Sequence, residues 1–203
     1  MRIIGGQAAG RLLKVIKGYN VRPTPDLVRQ AIFNSLGTRV EGARVLDLFS
    51  GSGALGLECV SRGAAWVLSI EKVPRHVAAI RGNLSATNLP DSRHDARTLD
   101  VFVALRQLAM EGQRFDLITA DPPFGPKNVG VRSRSASQKL LDDDGLPGLL
   151  EMDGLLVLGH TRRDTLAIPP TWSERKVLKH GDSIVRILER AMVDFRSAPA
   201  AEE

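Results

Sequence analysis

The chain has 203 residues, enough for one domain with a substantial core, and its 43% hydrophobic and 25% charged residues exclude disorder as a description of the whole. No apolar run approaches the roughly 20 residues of a membrane helix, and Met1-Arg-Ile-Ile-Gly-Gly lacks the apolar segment of a signal peptide, so a soluble, cytoplasmic protein is expected. A single cysteine, Cys59, excludes an internal disulfide and a cysteine-based zinc site, and the formal charge of +5 is unevenly spread. Residues 1–39 carry seven basic residues against one acid, a net of +6, while the other 164 residues sum to −1. That asymmetry points to a polyanion at the N-terminal fifth, with the acid-free stretch Lys127 to Lys139 as a second basic surface.

In chain order, Arg2-Ile-Ile, a Gly5-Gly6 turn and Arg11 to Ile16 read as a small β-hairpin that must dock on the body, because an isolated hairpin is marginal in water. Thr24-Pro25-Asp26 predicts a helix start with Thr24 as cap and an apolar stripe of Leu27, Ala31, Ile32 and Leu36 ending at Gly37. Short apolar runs then alternate with helical segments. Strands are expected at Arg44–Leu48, Trp66–Ile70, Phe115–Ala120 and Gly154–Gly159, and helices at Ala54–Arg62, Pro74–Ala86, Thr98–Met110 and Ser137–Leu150. The alternation predicts βαβ units and a doubly wound, mostly parallel sheet. Glu174–Lys179 and Ser183–Glu189, joined by His180-Gly181-Asp182, predict a terminal hairpin and an antiparallel last strand. The expected organisation is a basic hairpin-and-helix arm over 1–39, a body over 40–196 and a disordered tail over 197–203.

Asp47-Leu-Phe49-Ser50-Gly51-Ser-Gly53-Ala-Leu-Gly56 follows a predicted strand and opens a helix, where glycines permit a tight turn and close ligand approach to backbone N–H groups. A dinucleotide fingerprint would run its strand's apolar residues almost into the first glycine. Here Asp47 stands four residues before Gly51, repelling a pyrophosphate and welcoming an ammonium. Glu71, 18 residues after Gly53, ends the second strand and can accept both ribose hydroxyls. An amino acid joined to an unphosphorylated nucleoside, as in S-adenosyl-L-methionine, satisfies both carboxylates. Asp95, followed by Ala96, is placed to bind an adenine amine at the third strand's end. Asp121-Pro122-Pro123-Phe124 closes the fourth strand: the prolines remove donors, Asp121 and the Pro122 carbonyl accept from an exocyclic amine, and Phe124 can stack on an extruded base. His76, His94, His160 and His180 lack metal-ligand spacing, and Cys59 reads as core.

Taken together, Arg2-Ile-Ile-Gly-Gly with Gly10-Arg11, Arg22-Pro-Thr-Pro-Asp26 with Val28-Arg29, Asp47 to Glu58, Glu71-Lys72, Asn83-Leu84 and Asp121 to Phe124 resemble the RsmD family of Rossmann-like, S-adenosylmethionine-dependent methyltransferases. That family methylates a guanine N2 in small-subunit 16S ribosomal RNA. The resemblance spans almost the whole chain. It implies a seven-stranded sheet, cofactor contacts from Thr24, Asp47, Phe49, Ser50, Gly51, Gly53, Glu71, Lys72, Asp95 and Ala96, a base held by Asp121, Pro122, Pro123 and Phe124, and RNA gripped by Arg2, Arg11, Lys14 and Arg22. The partner implied is ribosomal RNA or a small-subunit particle, met by a monomer without metal or membrane. Gly159-His160 departs from the family's usual Glu-His pair, and residues 125–137 are unusually long and basic.

Two alternatives stay open. A DNA adenine-N6 or cytosine-N4 methyltransferase would use the same acceptor motif, but the chain shows no separate DNA-reading domain. A non-catalytic RNA-binding assembly factor on this scaffold would be expected to have lost some of Asp47, Gly51, Gly53, Glu71 and Asp121, all of which are present.

Overall fold

A computed structural model describes residues 1–16, 24–123, 125, 128 and 131–191. Its centre is one seven-stranded sheet made of β1 (Arg44–Leu48), β2 (Trp66–Glu71), β3 (His94–Thr98), β4 (Phe115–Ala120), β5 (Leu150–Thr161), β6 (Trp172–His180) and β7 (Ser183–Arg190). The spatial order is β3-β2-β1-β4-β5-β7-β6. The first five strands run parallel, and β7 inserts antiparallel between β5 and β6. The chain order reverses direction between β1 and β4, the topological switch point at which ligands bind doubly wound sheets.

Side-chain alternation sends the two faces into separate cores. On one face Val45, Val67, Leu117 and Val157 pack with α1 (Asp26–Leu36), α2 (Ala54–Ser61), Leu84 of α3 (Pro74–Thr87) and the N-terminal residues Ile3, Ala8 and Leu13. On the other, Leu46, Leu68, Ile118 and Leu156 pack with α4 (Val101–Met110) and α5 (Ala136–Leu141). The predicted core position of Cys59 is met: it lies fully buried in the first of these clusters. Among the described residues no helix is long and apolar enough to cross a membrane.

Several elements differ from expectation. Thr24 does not cap α1; Pro25 occupies the cap position and the Thr24 hydroxyl turns to β4 instead. Leu27 is exposed, and the helix buries Val28, Arg29, Ile32, Phe33 and Leu36. α4 starts at Val101 rather than Thr98, because Thr98 completes β3 and the Asp100 carboxylate accepts from the Phe102 and Val103 N–H groups. The long helix expected over Ser137–Leu150 stops at Leu141. Asp143 there accepts from the Gly145 and Leu146 N–H groups, and a single 3₁₀ turn with Pro147 leads into β5, which starts at Leu150 rather than Gly154.

The N-terminal hairpin is reduced to one antiparallel bridge, Arg2 to Leu12, and is held by the body. Glu58, fully buried on α2, accepts from the Ile4 and Gly5 N–H groups at 2.7 and 2.8 Å and from Arg62 Nε at 2.8 Å. Gly6, at φ +75°, passes so close to α2 that a Cβ would stand 1.9 Å from the Ser61 carbonyl oxygen. Buried Arg29 completes the clamp, donating to the Arg2 carbonyl at 2.6 Å and to Asp26 at 2.7 Å. The segment is therefore a strap laid across α2, sharing its core with the sheet. The expected tail at 197–203 lies outside the described residues.

Candidate active site

The site is assembled at the carboxyl ends of β1 and β4. At the end of β1 the chain turns sharply: Phe49 adopts φ +56°, and Gly51 and Gly53 follow at +55° and +80°. Left-handed backbone is costly at a bulky residue by about 1–2 kcal/mol. The Phe49 ring meets the Phe102 ring edge-on at 6.4 Å. Ser50 Oγ donates to the Asp47 carbonyl at 2.6 Å, the Ser50 N–H donates to the Ile70 carbonyl, and the Gly53 N–H closes the loop onto Ser50 at 2.7 Å.

Asp47 is buried beneath this loop. Thr119 Oγ1 on β4 donates to its Oδ1 at 2.7 Å, and the Gly56 N–H of α2 also serves it. Burial pushes its carboxyl up to about 6, against those hydrogen bonds and with a further push from Asp121. Among the described residues no ion pair is made by Asp47.

Glu71 ends β2 and ties the rim together. Its Oε2 accepts the Gly51 N–H at 3.0 Å, its Oε1 accepts the Val73 N–H at 2.9 Å, and His76 Nδ1 stands 3.6 Å from Oε1. Each carboxylate oxygen has two lone pairs, so beyond these two hydrogen bonds Glu71 keeps further acceptor capacity. At the end of β4, Asp121 takes a hydrogen bond from Thr24 Oγ1, and burial raises its carboxyl above the usual range. Pro122 is buried and Pro123 exposed. Asp47, Phe49, Ser50, Gly51, Thr24 and Asp121 line one cleft with Ser52, His76 and the strap residues Met1, Val15 and Ile16.

Other expected residues sit elsewhere. Asp95 is the second residue of β3, paired with Leu68, whereas the strand's carboxyl end is Thr98; its half-exposed carboxylate pairs with Arg97 at 2.9 Å. Ala96 packs on Val77 and Ile80 beneath α3. β3 thus ends three residues beyond Asp95, where the sequence had placed the strand's end, and neither Asp95 nor Ala96 lines this cleft. Lys72 is exposed beyond Glu71, outside the cleft lining. Phe124 and Arg22 lie outside the described residues.

The basic N-terminal charge does not form one surface. Arg29 is buried in the strap's clamp, and Arg39 donates to the Asp153 carbonyl at the sheet's opposite end. Arg2, Arg11 and Lys14 keep exposed side chains, Arg2 beside Asp26 at 3.5 Å. In the second basic stretch Arg132 pairs with Asp142 at 2.7 Å.

Sequence reasoning missed the strap's share in the cleft and the residue that couples the two. Asn83, buried on α3, accepts the Lys14 N–H at 2.8 Å and donates to the Lys14 carbonyl at 3.0 Å and the Ser52 carbonyl at 2.9 Å. One amide side chain thus fixes strap and glycine loop to each other. The readable signal was a polar residue at an inward position of a predicted helix. His76 was set aside with the other histidines, yet it lines the cleft.

This architecture has close relatives. A Bacillus subtilis (strain 168) protein is 35% identical over 162 residues, 80% of this chain and 83% of its own. The Ribosomal RNA small subunit methyltransferase D of Escherichia coli (strain K12) is 32% identical over 190 residues, 94% of this chain and 90% of its own. A solved structure from Thermus thermophilus superposes with a TM-score of 0.75 at 30% identity, covering 93% of this chain and 99% of that one. The family described as Conserved hypothetical protein 95 matches residues 1–189, and the chain belongs to it, the RsmD family that its motifs resemble.

Proposed function

We propose that this protein transfers the methyl group of S-adenosyl-L-methionine to the exocyclic N2 amine of a guanine in small-subunit ribosomal RNA. The observation that carries the reading is the buried Asp47 carboxylate and the half-buried Asp121 carboxylate, at the ends of adjacent strands and facing one cleft. Asp47 is the receptor for the ammonium of an amino-acid-bearing cofactor, and Glu71 is the acceptor for its ribose hydroxyls. Asp121 is the acceptor for the target amine.

When bound, the cofactor supplies an electrophilic methyl on a positively charged sulfur, so no activated nucleophile is required of the protein. What the chain contributes is position. The Thr24 hydroxyl holds the Asp121 carboxylate, leaving its other oxygen to accept one N–H of the amine and orient the nitrogen toward the methyl. The Asp121 oxygen that accepts the amine N–H would also be the acceptor for the proton the nitrogen gives up on methylation. The space left in the cleft with Met1, Val15 and Ile16 against it is about 60 Å³, against the roughly 300 Å³ of a small-molecule site.

Ribosomal RNA, free or in the small-subunit particle, is favoured over DNA because the relatives just described include a named small-subunit methyltransferase over nearly the full chain. The exposed Arg2, Arg11 and Lys14 supply phosphate contacts, and the protein acts as a monomer.

The test incubates the protein with methyl-labelled cofactor and either unmethylated small ribosomal subunits or duplex DNA, then identifies the labelled nucleoside. Label in N2-methylguanosine of the RNA is expected. Asp121→Ala should lose on the order of 10²-fold or more in rate with cofactor affinity within a few-fold. Label in DNA, or near-normal turnover of that variant, overturns the reading.

A further inference from the structure

Beyond Asp121, on the side away from the glycine loop, lies a second and larger cleft of about 580 Å³. It shares Thr24 and Asp121 with the first, so one carboxylate borders both. Its walls are the start of α1, the end of β5 from Gly159 to Arg163, and the β6–β7 turn from His180 to Ser183. That size falls in the roughly 300–1,000 Å³ range of pockets that hold drug-sized ligands, and it exceeds what a base alone would need.

Three features define its chemistry. Gly159 faces Asp121 so closely that a Cβ would stand 2.4 Å from Oδ1, so only a bare backbone leaves the carboxylate in this orientation. Ser137 Oγ donates to the Gly159 carbonyl at 3.1 Å and holds that backbone in place.

His160, although it lines the cleft, has both ring nitrogens engaged. Nδ1 lies 3.0 Å from the Thr161 and Asp164 carbonyls, which only accept, so it carries the proton; Nε2 then accepts from Arg186 Nε at 3.0 Å. Burial and Arg186 depress its protonation further. His160 is therefore neither a spare base nor a cation.

That leaves Arg163, the one Arg or Lys among the described residues lining the cleft. Its side chain is 59% exposed and its ion-pair partner, Asp182, is 3.9 Å away and 64% exposed. A pair that long and wet contributes little, so the guanidinium is open to a stronger anion.

We propose that this second cleft is the chamber for a whole extruded nucleotide, with the base amine at Asp121 beside Gly159 and the nucleotide's own phosphate on Arg163 at the chamber's mouth. The inference rests on the guanine-methylating reading above and adds to it the element that holds the sugar-phosphate of the target. Base contacts in the chamber orient the nitrogen, and the Arg163 contact registers the strand so that extrusion places the right base. The β6–β7 turn is then a wall of the substrate site as well as the end of the sheet.

The experiment uses the full chain, small ribosomal subunits and the labelled cofactor. Arg163→Ala should raise the KM for subunits about 5- to 30-fold with kcat within about two-fold, and flatten the log–log salt dependence by somewhat under one unit, as for one phosphate on a single strand. Cofactor affinity and melting temperature should not change. Guanosine 5′-monophosphate should inhibit the native protein more strongly than guanosine does, and the two should inhibit Arg163→Ala equally.

Gly159→Ala should instead lower kcat at least ten-fold by pushing the Asp121 carboxylate aside, with melting temperature checked to separate this from unfolding. If native protein methylates the subunits while Arg163→Ala keeps native KM and salt dependence, the chamber is refuted and the broader reading stands. If native protein fails to methylate them, the broader reading fails first. Equal inhibition of the native protein by nucleoside and nucleotide also refutes the phosphate contact.

Discussion

If Asp47 is the receptor for the cofactor's ammonium, affinity must follow its ionisation. Burial holds its carboxyl at about 6 in the free protein. At pH 7 about nine-tenths of the molecules then carry the carboxylate, and at pH 5 about one-tenth do, while the cofactor's amino group stays charged across that range. A ligand cation binds the ionised form, so the dissociation constant should rise about ten-fold between pH 7 and pH 5. Isothermal calorimetry at constant ionic strength measures this directly. Asp47→Asn, which keeps the shape and loses the charge, should bind weakly and with no slope over the same interval; a slope that survives would refute the assignment to Asp47.

The free protein offers an independent check with the opposite sign. A carboxyl raised in the folded state from 3.8 to about 6 retains its proton where the unfolded chain has lost it, so stability is highest below about pH 4 on this account and falls as pH rises to about 6. The loss is roughly 3 kcal/mol, the shift of about two units at 1.36 kcal/mol each. Cofactor should restore it. An affinity flat from pH 5 to 7, or an Asp47→Asn protein with native affinity at pH 7, would refute the ammonium assignment.

Glu71→Ala should weaken cofactor binding about 10- to 100-fold by calorimetry, since it removes the proposed ribose acceptor and leaves the Gly51 and Val73 N–H groups without their partner. Gly6→Ala must place a Cβ against the Ser61 carbonyl at positive φ, which should cost about 3 kcal/mol, lower the melting temperature by roughly 6–12 °C and loosen cofactor binding through the unseated strap. Replacing Arg2, Arg11 and Lys14 together by Ala should flatten the salt dependence of RNA affinity by up to about three units and leave cofactor binding intact, because Lys14 meets Asn83 through backbone atoms alone. An unaltered salt slope would move the RNA contact to residues 127–139.

What could be read from the sequence, and what could not, divides along a physical line. Strands β1 and β4 were legible to the residue because central strands of a parallel sheet are apolar on both faces, and that signal is local. Asp47, Glu71 and Asp121 were legible as strand-end carboxylates for the converse reason: an acid at the end of such an apolar run stands out, and the structure places each of them there. Asp95 misled because a polar strand at the sheet's edge carries no such contrast, so its carboxyl end could not be located. The longest helix expected, from Ser137, overran because Asp143 and Pro147 build a turn through side-chain hydrogen bonding that periodicity does not encode.

The basic arm shows the deeper limit. Its charge predicted a surface, but Arg29 is buried by acids 3 residues before it and 29 after it, Asp26 and Glu58, a pairing visible only once α1 and α2 are side by side. The charge that remains exposed is carried by a strap whose residues Met1, Val15 and Ile16 line the cleft, and Asn83 bolts that strap to the glycine loop. If, as proposed, the arm meets RNA with its basic side chains and its residues border the cofactor's cleft, the Asn83 contact couples the two ligands, so RNA should reach the strap most productively once the cofactor has set its position.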